Sequence, residues 1–281
     1  MIRLLLRCVG RLPLRVLHAL GAAAGWMTYL ASPTYARRLR ENLRASGVCT
    51  AANLVSLQKQ VIAETGKGAL ELAAFWFAPD TSILSWMHCD TWPVVERARQ
   101  PRQGVIFLTP HLGGFELCAQ YIAQRTPITV LYRPPKMAWL EPLMIEGRGR
   151  WQAKVAPANL RGVRRFYKAL QQGEAVGLLP DQTPGVGEGQ WADFFGQPAY
   201  TMTLVSRLQQ ATNALLVMVH AERLASGAGY QLHFTVLPTT GFDEVALNRA
   251  VEVAVRRCPA QYLWGYNRNK TPAGASMKSG Q

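Results

Sequence analysis

Short apolar runs that alternate with helical stretches constrain this fold more than any other feature of the sequence. Six such runs of strand length follow one another after residue 103, and helical stretches lie between most of them. This alternation predicts an α/β fold with a mostly parallel central sheet flanked by helices. The last run alternates apolar and polar residues, which is typical of an edge strand. The predicted strands are 104–110, 127–134, 153–158, 175–181, 214–222 and 230–238, and the predicted helices are 114–125, 137–150, 159–172 and 201–210.

Polar residues stand at the ends of three of these apolar runs. His111 follows the first run, Arg133 lies at the end of the second, and Asp181 ends the fourth with Gln182 behind it. Catalytic loops in open α/β sheets lie beyond the carboxyl ends of the strands. We therefore expect three loops, carrying His111, Arg133 and Asp181, to converge on one edge of the sheet.

The stretch TPHLGGFEL, residues 109–117, places His111 five residues ahead of Glu116. Side chains five apart on one regular helix point roughly 140° apart, so His111 should precede the helix and Glu116 should lie in its first turns. Gly113 and Gly114 permit the tight bend that this requires. We expect Glu116 to accept a hydrogen bond from one imidazole nitrogen and to leave the other as a base. This pair suits the removal of a proton from an alcohol that attacks a carbonyl. A packing role is the alternative for an isolated His/Glu pair.

Missing motifs exclude several other chemistries. The sequence has no G-x-S-x-G elbow, no H-E-x-x-H, no P-loop, no G-x-G-x-x-G and no nucleic-acid-binding signature. The five cysteines are scattered without a C-x-x-C pair, which argues against a disulfide framework and a zinc site. We therefore expect no metal, no cofactor and no nucleic-acid partner.

The N-terminal segment is basic and apolar. Arg3, Arg7, Arg11 and Arg15 recur at steps of four, which predicts one stripe on a helix. Residues 16–31 carry no formal charge and would reach roughly 24 Å as a helix, short of a hydrocarbon core about 30 Å thick. These features favour a segment that dips into one leaflet. A single membrane span, a cleaved signal peptide and a core helix are the alternatives.

The charge balance narrows the class of partner. There are 31 Lys and Arg against 17 Asp and Glu, giving a formal net charge of +14. This excess points to an anionic partner such as an anionic lipid, an acidic protein or nucleic acid, and a basic surface that serves only solubility is the alternative.

Three regions follow from these patterns. We assign residues 1–46 to membrane-associated N-terminal helices and residues 47–270 to the catalytic domain, in which 51–78 form an amphipathic helix. The small, polar tail 271–281 is expected to be disordered.

The chain contains five blocks in this order: LPLRVLHALGAAAGWMTYLASP, HLGGFE, VLYRPP, AVGLLPDQTPG and FFGQPAYTMT. Together these blocks resemble the late acyltransferases of lipid A biosynthesis, the lauroyl/myristoyl transferases, within the wider lysophospholipid/glycerolipid acyltransferase group. The resemblance runs from the N-terminal stretch to about Arg268. Gly114-Phe115 stands where the family often has Asn-Trp, and Gln197 replaces a family arginine.

The resemblance implies acyl transfer without a covalent enzyme intermediate. His111, oriented by Glu116, would deprotonate a hydroxyl of a phosphorylated glycolipid, which then attacks the thioester of an acyl-acyl carrier protein. Amides of Gly113 and Gly114 would stabilise the oxyanion, and Arg133 would bind a phosphate of the lipid or of the donor.

Four further residues are candidates for substrate binding. Asp181 and Gln182 would position the substrate or, as the alternative, cap their loop. Arg148 and Arg161 belong to further basic patches that would contact substrate or anionic lipid, and a solvated surface is the alternative for them.

The implied location is the cytoplasmic face of a bacterial inner membrane, where an anionic surface and an acidic donor would both attract a basic enzyme. Two other functions stay open at this point. One is acylation of another glycolipid or glycerolipid from acyl-CoA, and the other is a non-catalytic membrane-binding protein of the same fold.

Overall fold

A seven-stranded sheet forms the centre of the protein, whose computed structural model describes residues 2–135 and 137–274. The strands are β1 Met87–Cys89, β2 Val105–Leu108, β3 Ile128–Tyr132, β4 Ala153–Pro157, β5 Ala175–Leu178, β6 Gly189–Phe194, β7 Gln197–Met202, β8 Leu215–Arg223 and β9 Tyr230–Leu237. The helices are α1 Ile2–Val9, α2 Leu14–Ala31, α3 Pro33–Ala45, α4 Leu54–Phe77, α5 Asp80–Trp86, α6 Trp92–Ala98, α7 Phe115–Ala123, α8 Leu140–Arg148, α9 Leu160–Gln171, α10 Leu204–Thr212 and α11 Glu244–Arg257.

The sheet is mostly parallel, as the strand–helix alternation predicts. Its order is β1-β9-β8-β2-β5-β3-β4, and only the β8–β9 pair is antiparallel. All six predicted strands and all four predicted helices of this region form. The edge position expected for β9 is wrong, because the three-residue β1 pairs with it and covers its outer side. The antiparallel hairpin β6–β7 and the helix α11 were not predicted.

Helices pack on both faces of the sheet. Side chains of α3, α9, α10 and α11 share one core cluster with Ile106 and Leu108 of β2. Side chains of α2, α6, α7 and α8 share the opposite cluster with Val105 and Phe107 of the same strand. Because side chains alternate along a strand, these two clusters lie on opposite faces of the sheet. The helix α4 contributes to both clusters.

The N-terminal arginines do not form one helical stripe. The helix α1 ends at Val9, and α2 begins at Leu14. Pro13 lies between them, and its ring prevents α1 from running on into α2. Arg3 and Arg7 therefore lie on α1, Arg11 lies in the connection, and Arg15 lies on α2. In the described part of the chain, no helix is both long enough and apolar enough to cross a membrane.

The helix α2 packs closely along α4 through glycine. A Cβ atom on Gly66 of α4 would lie 2.0 Å from the carbonyl oxygen of Gly21, and a Cβ on Gly25 would lie 2.2 Å from that of Ile62. Leu14, Leu17 and both α2 glycines are buried. The apolar N-terminal segment is thus a helix with one side in the core. Its other side leaves Val16, Leu20, Met27 and Leu30 exposed.

A buried ionic network joins α2, α4 and β8. Arg223 Nη2 donates to Glu71 Oε2 at 2.6 Å, and His18 Nε2 lies 2.7 Å from Glu71 Oε1. Arg223 also pairs with Glu64. Burial would raise the pKa of Glu71, but the charge and hydrogen bonds of Arg223 and the contact with His18 outweigh it, so the pKa lies below its usual value. The carboxylate is therefore ionised at neutral pH and fixes the three elements together.

Candidate active site

The carboxyl ends of β2, β3 and β5 meet at one edge of the sheet, as predicted. β2 and β3 both pair in parallel with β5, so His111, Arg133 and Asp181 leave the sheet on the same side. A cavity of about 620 Å³ opens at this edge, and its lining includes His111, Arg133 and Gln182. The remaining walls come from α8, α9, α10 and the segment before β6, and these walls are largely apolar.

Asp181 holds the imidazole of His111. Asp181 Oδ1 lies 2.8 Å from His111 Nδ1, and Asp181 Oδ2 accepts the backbone N–H of His111 at 2.9 Å. With Nδ1 donating to Asp181, the lone pair resides on Nε2. Burial would raise the pKa of Asp181, but the charge of His111 and these hydrogen bonds outweigh it, so the pKa lies below its usual value. The carboxylate therefore stays ionised and fixes both the tautomer and the direction of the ring.

Tyr262 completes the surroundings of Asp181. The phenol is buried, and burial together with the charge of Asp181 raises the pKa of Tyr262 well above its usual value. Tyr262 therefore stays protonated beside the carboxylate. Its backbone also forms a bridge with Leu112, which follows His111 in the chain.

The side-chain amide of Gln182 contacts the second imidazole nitrogen of His111. Gln182 Nε2 lies 3.1 Å from His111 Nε2, within reach of a hydrogen bond that the amide donates to the lone pair. A substrate hydroxyl that uses His111 Nε2 as its base must take the place of this amide.

Glu116 does not have the partner that the sequence predicts. Its carboxylate accepts hydrogen bonds from Arg148, with Nε 3.0 Å from both oxygens, and Trp76 Nε1 lies 3.4 Å from Oε2. The helix α7 begins at Phe115, so the Glu116 side chain points to the wall formed by α4 and α8, where Arg148 meets it. Phe115 lies against the His111 ring instead, with centroids 5.0 Å apart. Asp181, and not Glu116, contacts the imidazole.

The two glycines of this loop approach the backbone of β8 and the segment before Tyr262. Gly113 has φ +58°, and its N–H donates to the carbonyl of Gln261 at 3.1 Å. The Gly114 N–H donates to the carbonyl of Ala221 at 2.8 Å. A Cβ on Gly113 would lie 2.0 Å from the Ala221 oxygen. The expectation that these amides stabilise an oxyanion is therefore wrong, because both already have acceptors. The glycines instead let the loop pack closely enough to place His111.

Two arginines on the cavity wall have no anionic partner among the described residues. Arg133 follows β3 and Arg207 lies on α10, and both line the cavity while remaining exposed. Arg148 lines the same cavity, but its charge is balanced by Glu116. Unpaired guanidinium groups in a concave site suit an anionic group such as a phosphate.

Two other sequence candidates lie outside this cavity. Arg161 is exposed on the outer side of α9. Gln197, at the position where the resemblance implies an arginine, lines a different, smaller pocket beside Trp264 and Arg268. The residue at position 197 therefore does not line the cavity around His111.

Two residues and one contact of the site were not predicted from the sequence. They are Tyr262, Arg207 and the pairing of Asp181 with His111. Each depends on chain segments that are far apart. The only sequence signal was the position of Asp181 at a strand end, which predicts its convergence with His111 but not its hydrogen bonds. Arg207 lies in a stretch for which the sequence predicts a helix but no functional residue.

The geometry supports proton transfer at His111 Nε2 within a largely apolar cavity. Among the described residues that line the cavity there is no serine or cysteine, and the hydroxyl of Thr203 donates to the carbonyl of Glu188 at 3.3 Å. In residues 2–135 and 137–274, no group of three or more His, Cys, Asp or Glu side chains is placed to hold a metal ion.

Comparisons with known proteins identify the family of this chain. A family model described as bacterial lipid A biosynthesis acyltransferase matches residues 2–271. The lipid A biosynthesis palmitoleoyltransferase of Escherichia coli K12 is 31% identical over 95% of this chain and 89% of its own. The lauroyltransferase of the same organism is 25% identical over 96% and 90%. Its myristoyltransferase is 24% identical over 61% and 55%. These relatives are named for three different acyl groups.

Proposed function

This chain belongs to the bacterial lipid A biosynthesis acyltransferases, and we propose that it moves a fatty acyl chain from an acyl-acyl carrier protein thioester to a hydroxyl of a phosphorylated lipid A precursor. This is a secondary acylation in lipopolysaccharide biosynthesis. The observation that carries the proposal is the His111 imidazole, held at Nδ1 by Asp181 with Nε2 directed into a cavity large enough for an acyl chain.

The chemistry requires one base and no covalent enzyme intermediate. The acceptor hydroxyl replaces the Gln182 amide at His111 Nε2 and gives its proton to that nitrogen as its oxygen attacks the thioester carbon. The tetrahedral oxyanion then collapses, the C–S bond breaks, and the proton passes from the imidazolium to the departing sulfur. The products are the ester and the free thiol of the carrier. The ionised Asp181 stabilises the imidazolium formed between these steps.

The displaced Gln182 amide is the donor best placed to stabilise the oxyanion. Before it is displaced, its Nε2 lies 3.1 Å from His111 Nε2, so it is close to the place where the carbonyl carbon meets the attacking hydroxyl and where the carbonyl oxygen becomes the oxyanion. The glycine-loop amides cannot serve, since their hydrogen bonds are already used.

The cavity has apolar walls that suit an acyl chain and unpaired arginines that suit phosphate groups. Apolar residues such as Leu131, Met144 and Val163 face the space where an acyl chain would lie, and a small apolar pocket continues past Phe115. Arg133 and Arg207 are available for phosphates of the acceptor. Chain length is then set by the depth of the apolar part of the cavity.

One experiment tests the proposed reaction. The detergent-solubilised protein is given a tetraacylated lipid A precursor and a panel of acyl-carrier-protein thioesters, and the product masses are read. We expect one added acyl mass, together with release of the carrier thiol. Transfer only from acyl-CoA, or only to another glycolipid, would contradict the proposed donor or acceptor.

Loss of the Gln182 amide is expected to lower kcat. Because this side chain supplies an oxyanion donor, Gln182→Ala should reduce kcat for transfer by about 10²–10³-fold. The KM for the thioester should change little. An unchanged or increased kcat in Gln182→Ala would show that the side chain only obstructs His111, and the measurement is steady-state transfer at saturating donor.

The protein also has a surface suited to a membrane. The exposed apolar side chains of α1 and α2 lie beside those of α8. Arg3 Nη2 of α1 pairs with Glu146 of α8 at 2.6 Å and so holds the two helices together. Arginines flank these apolar residues, as expected for a segment that lies in the interface of an anionic bilayer. We call these residues the apolar N-terminal surface and place them on the cytoplasmic face of the inner membrane. They are Leu4, Leu5, Val16, Leu20, Met27, Leu30, Met137, Trp139 and Ile145.

Polar substitution on this surface is expected to weaken binding to lipid. Since burying a leucine side chain contributes about 1.5–3 kcal/mol, Leu20→Gln/Leu30→Gln should lower the affinity for anionic phospholipid vesicles at least about tenfold. The matched control is Val245→Gln/Val253→Gln, which alters exposed apolar residues of α11. Equal flotation of both variants with vesicles would contradict the proposed surface.

A further inference from the structure

The exposed side of α9 carries four cations and no acidic residue. Arg161, Arg164, Arg165 and Lys168 recur at steps of three or four and so form one stripe, which we call the α9 basic face. In the described part of the chain these side chains have no ion pair. Nearby Lys154, in contrast, pairs with Glu174 at 2.9 Å. Four unpaired cations on one surface produce a strongly positive local potential.

The α9 basic face begins at the rim of the active-site cavity. Asn159, Leu160 and Val163 line the same cavity as His111. Leu160 is 79% exposed and therefore offers an apolar contact directly beside the first arginine of the stripe. A partner bound to this face would stand next to the cavity entrance.

The helix α9 packs on the face of the sheet opposite to α8 and to the first half of α2. Phe166 of α9 belongs to the core cluster on one side of the sheet, whereas Leu17 of α2 and Met144 of α8 belong to the cluster on the other side. The second half of α2 reaches the α9 side, where Tyr29 packs against the same cluster as Phe166. The exposed residues of α9 include four cations and only two large apolar side chains, so charge dominates what the α9 basic face can bind.

We propose that the α9 basic face is the docking surface for the acidic acyl carrier protein that delivers the thioester. The inference rests on the proposed function and specifies where its donor binds. Acidic side chains of the carrier protein pair with Arg161 and Arg164, and an apolar residue packs on Leu160. The thioester arm then passes into the cavity towards His111. Charge complementarity of this kind mainly raises the association rate and weakens with ionic strength.

The test compares Arg161→Glu/Arg164→Glu with Arg249→Glu/Arg257→Glu, which makes the same change in net charge on α11. Transfer is measured from lauroyl-acyl carrier protein and from lauroyl-pantetheine, which lacks the protein. We expect the α9 variant to raise the KM for the protein-borne donor at least about tenfold with kcat unchanged. Its kcat/KM for lauroyl-pantetheine should equal that of the wild type. The α11 variant should behave as wild type with both donors.

Calorimetric binding of unacylated holo-carrier protein separates docking from catalysis, because it needs no turnover. The α9 variant should lose this binding at least about tenfold, and the wild-type affinity should fall with added salt. Equal losses with both thioesters, or equal binding of holo-carrier protein by both variants, would overturn the proposal. Loss of binding to anionic vesicles in the α9 variant, with carrier binding intact, would assign the face to the membrane instead. If the wild type binds the carrier protein but transfers nothing, the proposed function fails and the docking surface stands.

Discussion

Replacement of His111 by alanine is expected to lower kcat for acyl transfer by about 10²–10⁴-fold, since a positioned base contributes that much to a proton-transfer step. The hydroxyl would retain its place in the cavity, because the apolar walls and the two unpaired arginines are untouched. The KM for both substrates should therefore change little. The assay is single-turnover transfer from an acyl-carrier-protein thioester at saturating acceptor.

Two controls separate loss of the base from loss of the fold. His233 is partly buried on β9 and contacts Glu222 at 3.1 Å, outside the cavity, so His233→Ala should keep full activity. Added imidazole should restore part of the rate in His111→Ala if the cavity is intact. A His111→Ala variant with wild-type kcat would rule out His111 as the general base.

Substitution of Asp181 by asparagine is expected to reduce kcat by about 10²–10⁴-fold, because the amide cannot fix the required tautomer or stabilise the imidazolium. Glu116→Gln should cost less in kcat, since Glu116 contacts Arg148 and Trp76 rather than the imidazole. Glu116→Gln should lower the free energy of unfolding more than Asp181→Asn does, because it leaves the charge of Arg148 uncompensated near the core. A Glu116→Gln/Arg148→Met double variant, which removes both charges, should recover much of that stability.

The ranking of these two variants decides which carboxylate orients His111. A severe loss of kcat in Glu116→Gln with little effect in Asp181→Asn would restore the pairing expected from the sequence. Stability against pH gives an independent check. The pKa of Asp181 lies below its usual value in the folded protein. Its contribution to stability should therefore be complete above about pH 4 and disappear as the pH falls through the lowered pKa. Asp181→Asn should remove this dependence.

Local sequence patterns predicted the elements of the sheet but not all of its edges. Strands β2, β3 and β5 and the first part of β8 are near-continuous apolar runs, because strands buried on both faces exclude polar residues. The edge strand β4 is mostly part-buried and keeps Lys154 exposed. The three-residue β1 has no such pattern, and its pairing with β9 is decided by tertiary contacts. The β6–β7 hairpin was missed since polar residues alternate with apolar ones there and turn-forming Gly189 and Pro198 lie inside its strands.

The candidate site, like the sheet, was only partly predictable from the sequence. Convergence of His111, Arg133 and Asp181 followed from their positions at strand ends, because parallel strands place their carboxyl ends at one edge. The spacing of His111 and Glu116 suggested a contact between them, but spacing along a chain does not fix where a side chain points. The first turn of α7 directs Glu116 to Arg148, which lies 32 residues further along the chain.

The sequence by itself determined the α/β class, the resemblance to a family of acyltransferases, the edge of the sheet at which the candidate site lies and the basic character of the protein. These depend on periodicity, short sequence blocks, strand-end position and composition, which are local or additive properties of a chain. Only the tertiary structure decided that Asp181 contacts His111, that the glycine amides are already bonded, and that α9 and α8 pack on opposite faces of the sheet. Each of these depends on which distant segments share one edge or one face of the sheet, and that arrangement is fixed by the packing of the whole core.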